Sequence, residues 1–344
     1  MAGWHNLPEK LKLDIFRLLE KKDRLKFAKC SFGCLQQVLR HEKNIESLGI
    51  EKLKLFSQHE EDRIYVVRID KFFEVKFKQI GELCEIEHRG EFFWKTIGDC
   101  ENMAYGIFER VLAKNKDSLN LLTLYEVDYM IQNQSIDNFS RLETLDIITN
   151  RQDQLYSLLS KAENIKQLIV DYRADTEQLR GFTFTLSNIN YLDLSSQNNE
   201  DLAFDILHRI DIPENKKFES VSIIIYEKEC TIIDDPKIID IFKKSDELKT
   251  SLILSNDQFI ELATSVKSLK LNARQFDTSK IIDVIMSNGM GICEFTNVNS
   301  DILKCEDLNL NEIAPNKFTY KIDSGRGSYD ISSGTLIFYP QGFQ

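Results

Sequence analysis

Hydrophobic and polar positions along the chain follow three different periods, and each period predicts a different kind of structure. Up to about residue 45 the apolar side chains recur at helical spacing. From about 46 to 98 the apolar side chains alternate with polar ones. From about 99 to 315, stretches with helical spacing alternate with short strand-like stretches. We therefore expect an α/β protein with a helical N-terminal segment, a β-rich segment and a longer mixed array.

The N-terminal segment, residues 1–45, predicts three short helices. Asn6 can cap the first helix, with Pro8 in its first turn, while Asp23 and Ser31 can cap the second and the third. The apolar residues of the first two helices are Leu7, Leu11, Ile15, Leu18, Leu19, Leu25, Phe27 and Cys30. Helices this short bury only a very small core, so we expect the segment to pack against something else.

Residues 46–98 predict a linker and an antiparallel β meander with one buried face. In KFFEVKFKQ, Phe73, Val75 and Phe77 alternate with charged residues. IYVVRI precedes this stretch, and CEIEH follows it after the turn signal at Gly81.

Residues 99–315 predict an irregular α/β array that resembles leucine-rich repeats. Strand-like stretches that fit apolar-x-x-apolar-x-apolar lie between helical ones. These stretches are LETLDII from 142, IKQLIVD from 165, INYLDLS from 189 and VKSLKLN from 266, with looser versions at FESVSII from 218, SLILS around 252 and MGICEF from 290. Successive starts 23 and 24 residues apart are typical of leucine-rich repeats, although the spacing stretches to 29 in mid-chain. An ordinary βαβ sheet with similar strands is the alternative.

The last segment, residues 316–344, reads as a strand, a glycine-rich turn and a second strand. We expect a C-terminal hairpin that caps the exposed end of the array.

The composition limits which cellular compartments and which classes of partner are plausible for this protein. A formal net charge of −11 argues against nucleic acid and anionic membrane as partners, since both attract an excess of Lys and Arg. The 7 cysteines form no CxxC pair and suit neither a disulfide framework nor a zinc site, so buried free thiols are expected. With no basic-then-apolar leader and no apolar run of about 18 residues, we expect the cytoplasm or nucleus and no membrane contact.

Signals for catalysis are weak throughout the chain. The 5 histidines are scattered, and there is neither a GxSxG elbow nor a phosphate-binding loop. The GRG at 325–327 and the GMG at 289–291 lack the third glycine of a dinucleotide site. We therefore predict a non-enzyme without catalytic residues, metal or cofactor.

The stretch LPEKLKLDIFRLLEKKDRLKFAKCS resembles the F-box, the three-helix module of substrate receptors in Skp–cullin–F-box ubiquitin ligases. The resemblance follows Leu-Pro, then Ile-Phe-x-x-Leu, an acidic turn and Leu-x-Phe-x-x-Cys-Ser. Trp4 and the Lys-Cys-Ser sequence resemble those of the large nematode-type F-box families. Residues from about 60 to 300 resemble, more diffusely, the FTH domain of those families. The resemblance implies binding to the Skp adaptor, and through it to cullin. The implied contact residues are Leu7, Pro8, Leu11, Ile15, Phe16, Leu19, Leu25, Phe27 and Cys30.

Strand alternation suggests where a target protein would bind. If the array strands are parallel, alternate side chains face the open side of the sheet. The candidate substrate-binding residues on that side are Asp146, Ile148, Ile169, Asp171, Tyr191 and Asp193. An acidic patch with apolar and aromatic neighbours suits a basic or mixed protein surface, whereas a merely solvated sheet face is the alternative.

These observations lead to one main functional hypothesis and two others. The main one is a non-catalytic ligase subunit that captures a target protein to promote its ubiquitination and degradation. The second is a stand-alone protein-binding repeat scaffold whose F-box is vestigial. The third, an enzyme, would need a buried cluster of titratable groups where the meander meets the array.

Overall fold

A computed structural model gives the structure of the chain. The residues it describes are 7–19, 23, 50–59, 63–70, 73–88, 91–127, 138–174, 182–197, 200–226, 233–272, 278–286, 292–296, 298, 303, 308, 310–322 and 325–341. The chain forms two compact units, the first comprising residues 1–165 and 179–184 and the second comprising 166–178 and 185–344. The predicted α/β class is confirmed, because strands and helices occur in both units.

The first unit contains a mixed sheet. Its strands are β1 (Lys52–His59), β2 (Arg63–Ile69), β3 (Phe73–Ile80), β4 (Leu83–His88), β5 (Glu91–Ile97), β6 (Leu121–Tyr125) and β7 (Thr144–Thr149), and its helices are α1 (Glu9–Leu18), α2 (Cys100–Asn115) and α3 (Gln152–Leu159). The strands lie side by side in the order β5, β4, β3, β2, β1, β6, β7. Pairing is antiparallel from β5 to β1 and parallel from β1 to β7.

The alternating apolar and polar residues of the first unit lie on strands of a sheet that has one buried face. In β3, Val75 and Phe77 are buried, while Lys76 and Lys78 on the opposite face are only half-buried. Helix α2 packs against β2 and β3, and the Asp99 side chain caps it by accepting a hydrogen bond from the backbone N–H of Glu101 at 3.0 Å. Burial of apolar side chains between helix and strands provides the main stabilisation of this unit.

The second unit begins with parallel strands that follow one another in chain order. They are β8 (Gln167–Tyr172), β9 (Tyr191–Ser196), β10 (Phe218–Ile225), β11 (Ser245–Thr250), β12 (Ser268–Asn272) and β13 (Ile292–Thr296). Helices α4 (Glu200–His208), α5 (Pro236–Lys243), α6 (Asn256–Ser265) and α7 (Thr278–Met286) connect the strands from β9 onward. Each of these helices contacts the next, so they form one layer. Right-handed crossovers between successive neighbouring strands place such helices on the same face of the sheet.

The side chains that pack beneath this helical layer alternate along each strand. They are Leu168, Val170, Leu192, Leu194, Val221, Ile223, Leu248, Leu269, Leu271, Cys293 and Phe295, all buried. Their neighbours on the other face are mostly polar, and apart from the buried Ser222 most are half-buried or exposed. Parallel sheets usually have helices on both faces, so this sheet is unusual in having one face without a described helix.

The C-terminal part of the second unit differs from the expected hairpin with a glycine-rich turn. Strands β14 (Asn311–Ala314), β15 (Lys317–Ile322), β16 (Gly325–Asp330) and β17 (Thr335–Pro340) form an antiparallel ladder, and β17 pairs with β13. The stretch read as a turn is therefore strand β16. Its glycines are needed for packing, because a Cβ on Gly327 would lie 2.0 Å from the carbonyl oxygen of Ile337 and 2.3 Å from the Tyr320 ring.

The N-terminal segment is described only in its first helix. Helix α1 begins at Glu9, directly after Pro8, so it starts slightly later than the sequence predicts, which placed Pro8 in its first turn. The expected second and third helices, with Leu25, Phe27 and Cys30, lie outside the described residues.

Candidate functional site

The sheet of the second unit presents one face that the described helices do not cover, which we call the open face. Strand register places its side chains in rows that cross β8 to β13. The residues of the open face are Gln167, Ile169, Asp171, Tyr191, Asp193, Ser195, Ser220, Ser222, Ile224, Glu247, Lys249, Ser268, Lys270, Asn272, Ile292, Glu294 and Thr296. Most of these side chains are polar, so the open face suits contact with another hydrated surface.

The open face brings together four of the six predicted substrate-binding residues. On neighbouring strands β8 and β9, Ile169 stands opposite Asp193. Asp171 is the next residue of β8 on this face and stands opposite Ser195. Tyr191 stands beside Asp193 on the same face of β9. All four side chains are half-buried, so each remains partly accessible.

The other two predicted residues, Asp146 and Ile148, belong to β7 in the first unit. The Tyr125 hydroxyl donates a hydrogen bond of 2.5 Å to the Asp146 carboxylate. Burial, and then this hydrogen bond, raise the pKa of Tyr125 well above its usual value. Asp146 therefore already has a donor within its own unit, which the sequence pattern alone did not reveal.

Asp171 also has a partner within the protein. The Arg173 guanidinium lies 2.9 Å from its carboxylate, and both side chains are partly exposed. Such a surface ion pair contributes little stability, but it offsets the charge of Asp171. Asp193 differs, because it forms no ion pair with any described residue.

Strand β11 holds two residues of the open face that sequence reasoning missed, Glu247 and Lys249. The sequence suggested a strand at SLILS around 252, whereas the strand is Ser245–Thr250. Only Leu248 gives SDELKT an apolar residue, so its pattern is weak, and the more apolar Leu252 and Leu254 are buried beyond the strand end. The detectable signal was the spacing from the preceding helix, since short connections dominate in α/β units.

Small side chains on β10 leave a groove between its neighbours, which we call the serine groove. Its floor is Ser220 and Ser222, its β9 side is Tyr191 and Asp193, and its β11 side is Glu247 and Lys249. Strand spacing separates the two sides by about 10 Å. In the described part of the chain neither Glu247 nor Lys249 forms an ion pair. The groove thus exposes unneutralised charge of both signs. In the row that contains Ser222 and Lys249, the next two side chains, Lys270 and Glu294, form an ion pair at 2.5 Å.

A cavity of about 310 Å³ lies elsewhere in the second unit, near the loop before β10 and the C-terminal end of α5. Lysines dominate its lining, but carboxylates offset their charge: Lys243 pairs with Glu261 at 2.5 Å and Lys244 with Asp240 at 3.0 Å. The negative end of a helix dipole also disfavours an anion there. The lysines of this cavity therefore do not make it a strong binding site for an anion.

Titratable groups do gather where the meander meets α2, as the enzyme hypothesis required. Tyr65, Cys84 and Cys100 are all buried there. Burial raises the pKa of each thiol to about 11, with smaller effects from the nearby Asp99 carboxylate. A nucleophilic cysteine needs a lowered pKa, so these thiols behave as core residues.

Two further properties concern only the described parts of the chain. Among those residues, no group of three or more His, Cys, Asp or Glu side chains could hold a metal ion. None of the helices described there is both long enough and apolar enough to cross a membrane.

The chain was also compared with proteins already known. No protein-family model, no curated protein and no solved structure matches it.

Proposed function

We propose that the chain is the substrate-recognition subunit of a Skp–cullin–F-box ubiquitin ligase. Its N-terminal segment binds the Skp adaptor, and through it cullin, while the open face binds a target protein. The observation that carries the proposal is the F-box sequence pattern together with the apolar surface of α1.

Helix α1 exposes apolar side chains that a self-contained cap would bury. Leu18 is 85% exposed and Leu11 is 45% exposed. A spacing of seven residues places both on one face of the helix. Pro8 is also exposed, whereas Leu7, Ile15 and Leu19 are half-buried. Exposed leucines aligned on a helix favour a docking surface, because their burial against a partner would stabilise the complex.

The second unit supports the receptor half of the proposal. Parallel strands in chain order, with one layer of helices, are typical of leucine-rich-repeat-like arrays. In such an array the sheet face without helices is a long accessible surface, and that surface is suited to a protein target.

The proposed mechanism requires no chemistry from this chain. Binding the target and the adaptor on one polypeptide raises the local concentration of target lysines near the conjugating enzyme. This role accounts for a chain whose buried thiols are poor nucleophiles and whose open face carries unpaired charges.

Co-expression with a Skp adaptor tests the proposal. We expect the wild-type chain to co-purify with the adaptor in equal amounts. A Leu11→Gln, Leu18→Gln variant should bind at least tenfold more weakly, because each leucine buried at an interface contributes on the order of 1.5–3 kcal/mol. Lys10→Gln, a change at an exposed position of the same helix, is the matched control and should bind like the wild type.

Two outcomes would contradict the proposal. One is the absence of any complex with the wild-type chain, which would leave a protein-binding scaffold with a vestigial F-box. The other is equal adaptor binding by the double variant, which would exclude the exposed face of α1 as the docking surface.

A further inference from the structure

The serine groove combines an aromatic ring with two carboxylates that have no partner inside the protein. Tyr191 and Glu247 lie in one row, on either side of Ser220. Asp193 lies one row further along β9, opposite Ser222. Within the described residues neither carboxylate forms an ion pair, so both are available to a cation from outside.

The floor of the groove provides a separate indication that it receives a polar group. Ser222 is only 7% exposed, and by strand alternation it faces the groove between Asp193 and Lys249. Its hydroxyl has no hydrogen-bond partner among the described residues. The Ser222 oxygen is not among the fully enclosed polar atoms of the described residues, so it remains accessible from the groove and can exchange water for a hydrogen bond with a polar group of a ligand.

The shift in the pKa of Tyr191 agrees with this arrangement of the two carboxylates around its hydroxyl. Burial, followed by the charges of Asp193 and Glu247, raises the pKa of the Tyr191 phenol above its usual value. Both carboxylates therefore act on the same hydroxyl from opposite sides of the groove. A cation placed there would be attracted by both carboxylates and by the face of the ring.

We propose that the serine groove binds an arginine side chain of the target protein, held by the Tyr191 ring and the Asp193 and Glu247 carboxylates. This inference rests on the proposed receptor function and names the group that its open face recognises. A guanidinium fits better than an ammonium, because its planar fork can stack on an aromatic ring while it donates to carboxylates on both sides.

Lys249 restricts the residues that can accompany this arginine. It is exposed, lies in the row of Asp193 and has no ion-pair partner in the described part of the chain. A second cation on the target would meet its positive charge, whereas an acidic neighbour would be attracted. The recognised segment therefore carries one arginine with neutral or acidic neighbours, and a polybasic segment is excluded.

Selection from a phage-displayed library of random 12-residue peptides on the full-length protein tests the inference. We expect several-fold enrichment of arginine over its frequency in the library, without enrichment of lysine-rich peptides. The enrichment should disappear on an Asp193→Asn, Glu247→Gln variant. An Asp201→Asn, Asp257→Asn variant removes the same charge from exposed helix positions, and it should select arginine like the wild type.

A selected peptide then gives a chemical control. Replacing its arginine with citrulline keeps the planar shape and removes the charge, so the affinity should fall at least tenfold. Equal binding of the citrulline peptide, or equal arginine enrichment on the Asp193→Asn, Glu247→Gln variant, would overturn the inference. An unchanged urea midpoint for that variant would show that its fold is intact.

The selection separates this inference from the proposed ligase role, because it uses no adaptor. Adaptor binding without arginine selection would overturn the arginine site alone. Arginine selection without adaptor binding would support the arginine site and overturn the ligase role.

Discussion

Gly327 shows how a single missing side chain determines local packing. Tyr320 stands opposite Gly327 across the β15–β16 pair, and its hydroxyl donates a hydrogen bond of 2.9 Å to the carbonyl of Ile337. A methyl group at Gly327 would overlap both that carbonyl and the ring. We expect Gly327→Ala to lower the free energy of unfolding by about 3 kcal/mol, because a backbone carbonyl cannot move aside as a flexible side chain can. Urea unfolding followed by circular dichroism measures this change.

Gly106 provides the same substitution with the opposite expected sign. It lies within α2, and a Cβ there would meet only the end of the Arg110 side chain at 3.9 Å. Gly106→Ala should therefore raise the free energy of unfolding by about 0.5–1 kcal/mol, because glycine is a poor helix former. A loss of stability in this variant, or a neutral Gly327→Ala, would contradict the packing described here.

The sequence predicts much at the residue scale and misses what depends on distant contacts. Alternation correctly separates buried Leu145 and Ile147 from half-buried Asp146 and Ile148. It does not predict the bond from Tyr125 to Asp146, because these residues meet only when β6 and β7 pair. The packing of Gly327 against Tyr320 is likewise set by the pairing of two strands, and the same GRG pattern suits a turn when it is read locally.

At the element scale, Asp235 joins two helices. One carboxylate oxygen accepts hydrogen bonds from the backbone N–H groups of Lys237 and Ile238 and so caps α5. The other lies 2.6 Å from Nε2 of His208, in the last turn of α4. The hydrogen bond to His208, with help from the backbone N–H groups, holds the pKa of Asp235 below its usual value.

Asp235→Ala should destabilise the protein by about 1 kcal/mol at neutral pH, as the loss of a helix cap usually does. Because the pKa of Asp235 is lower in the folded than in the unfolded chain, this stabilisation is present above about pH 4 and is lost as the pH falls through the lowered value. The difference between wild type and variant should therefore shrink at acid pH. Urea midpoints measured from about pH 7 down to acid pH check this.

Asp234→Ala is the matched control for the cap. Asp234 is the exposed neighbour and has no partner among the described residues. The control should leave the midpoint almost unchanged at every pH, and a pH-independent effect of Asp235→Ala would contradict the coupling to its titration.

The elements were predictable to different degrees for a physical reason. Strands with two or three buried apolar residues, such as β7 and β9, were read correctly from the sequence. Strand β11 was misplaced because Leu248 is its only large apolar residue and its pairing with β10 and β12 determines its position. The sequence therefore predicted the open-face residues Tyr191 and Asp193 of β9 and missed Glu247 and Lys249 of β11.

At the scale of the whole molecule, the proposed function depends on two surfaces that share one chain. The apolar face of α1 lies in the first unit, and the serine groove lies in the second. The two proposals assign these surfaces different partners. Substitutions on one surface should therefore weaken the binding of its own partner and leave the binding of the other partner unchanged. Changes at Leu11 and Leu18 should leave peptide binding intact, and changes at Asp193 and Glu247 should leave adaptor binding intact.

Tethering through one chain gives the last prediction. A reconstituted ligase should ubiquitinate a lysine-bearing carrier fused to a selected arginine peptide, and either pair of substitutions should reduce the conjugates at least tenfold. Mixing the two variants should not restore activity, because each molecule then holds only one partner and the effective concentration is lost. Quantifying the conjugates in the mixture checks this. Restoration would mean that separate molecules bring adaptor and target together, and it would contradict the proximity mechanism.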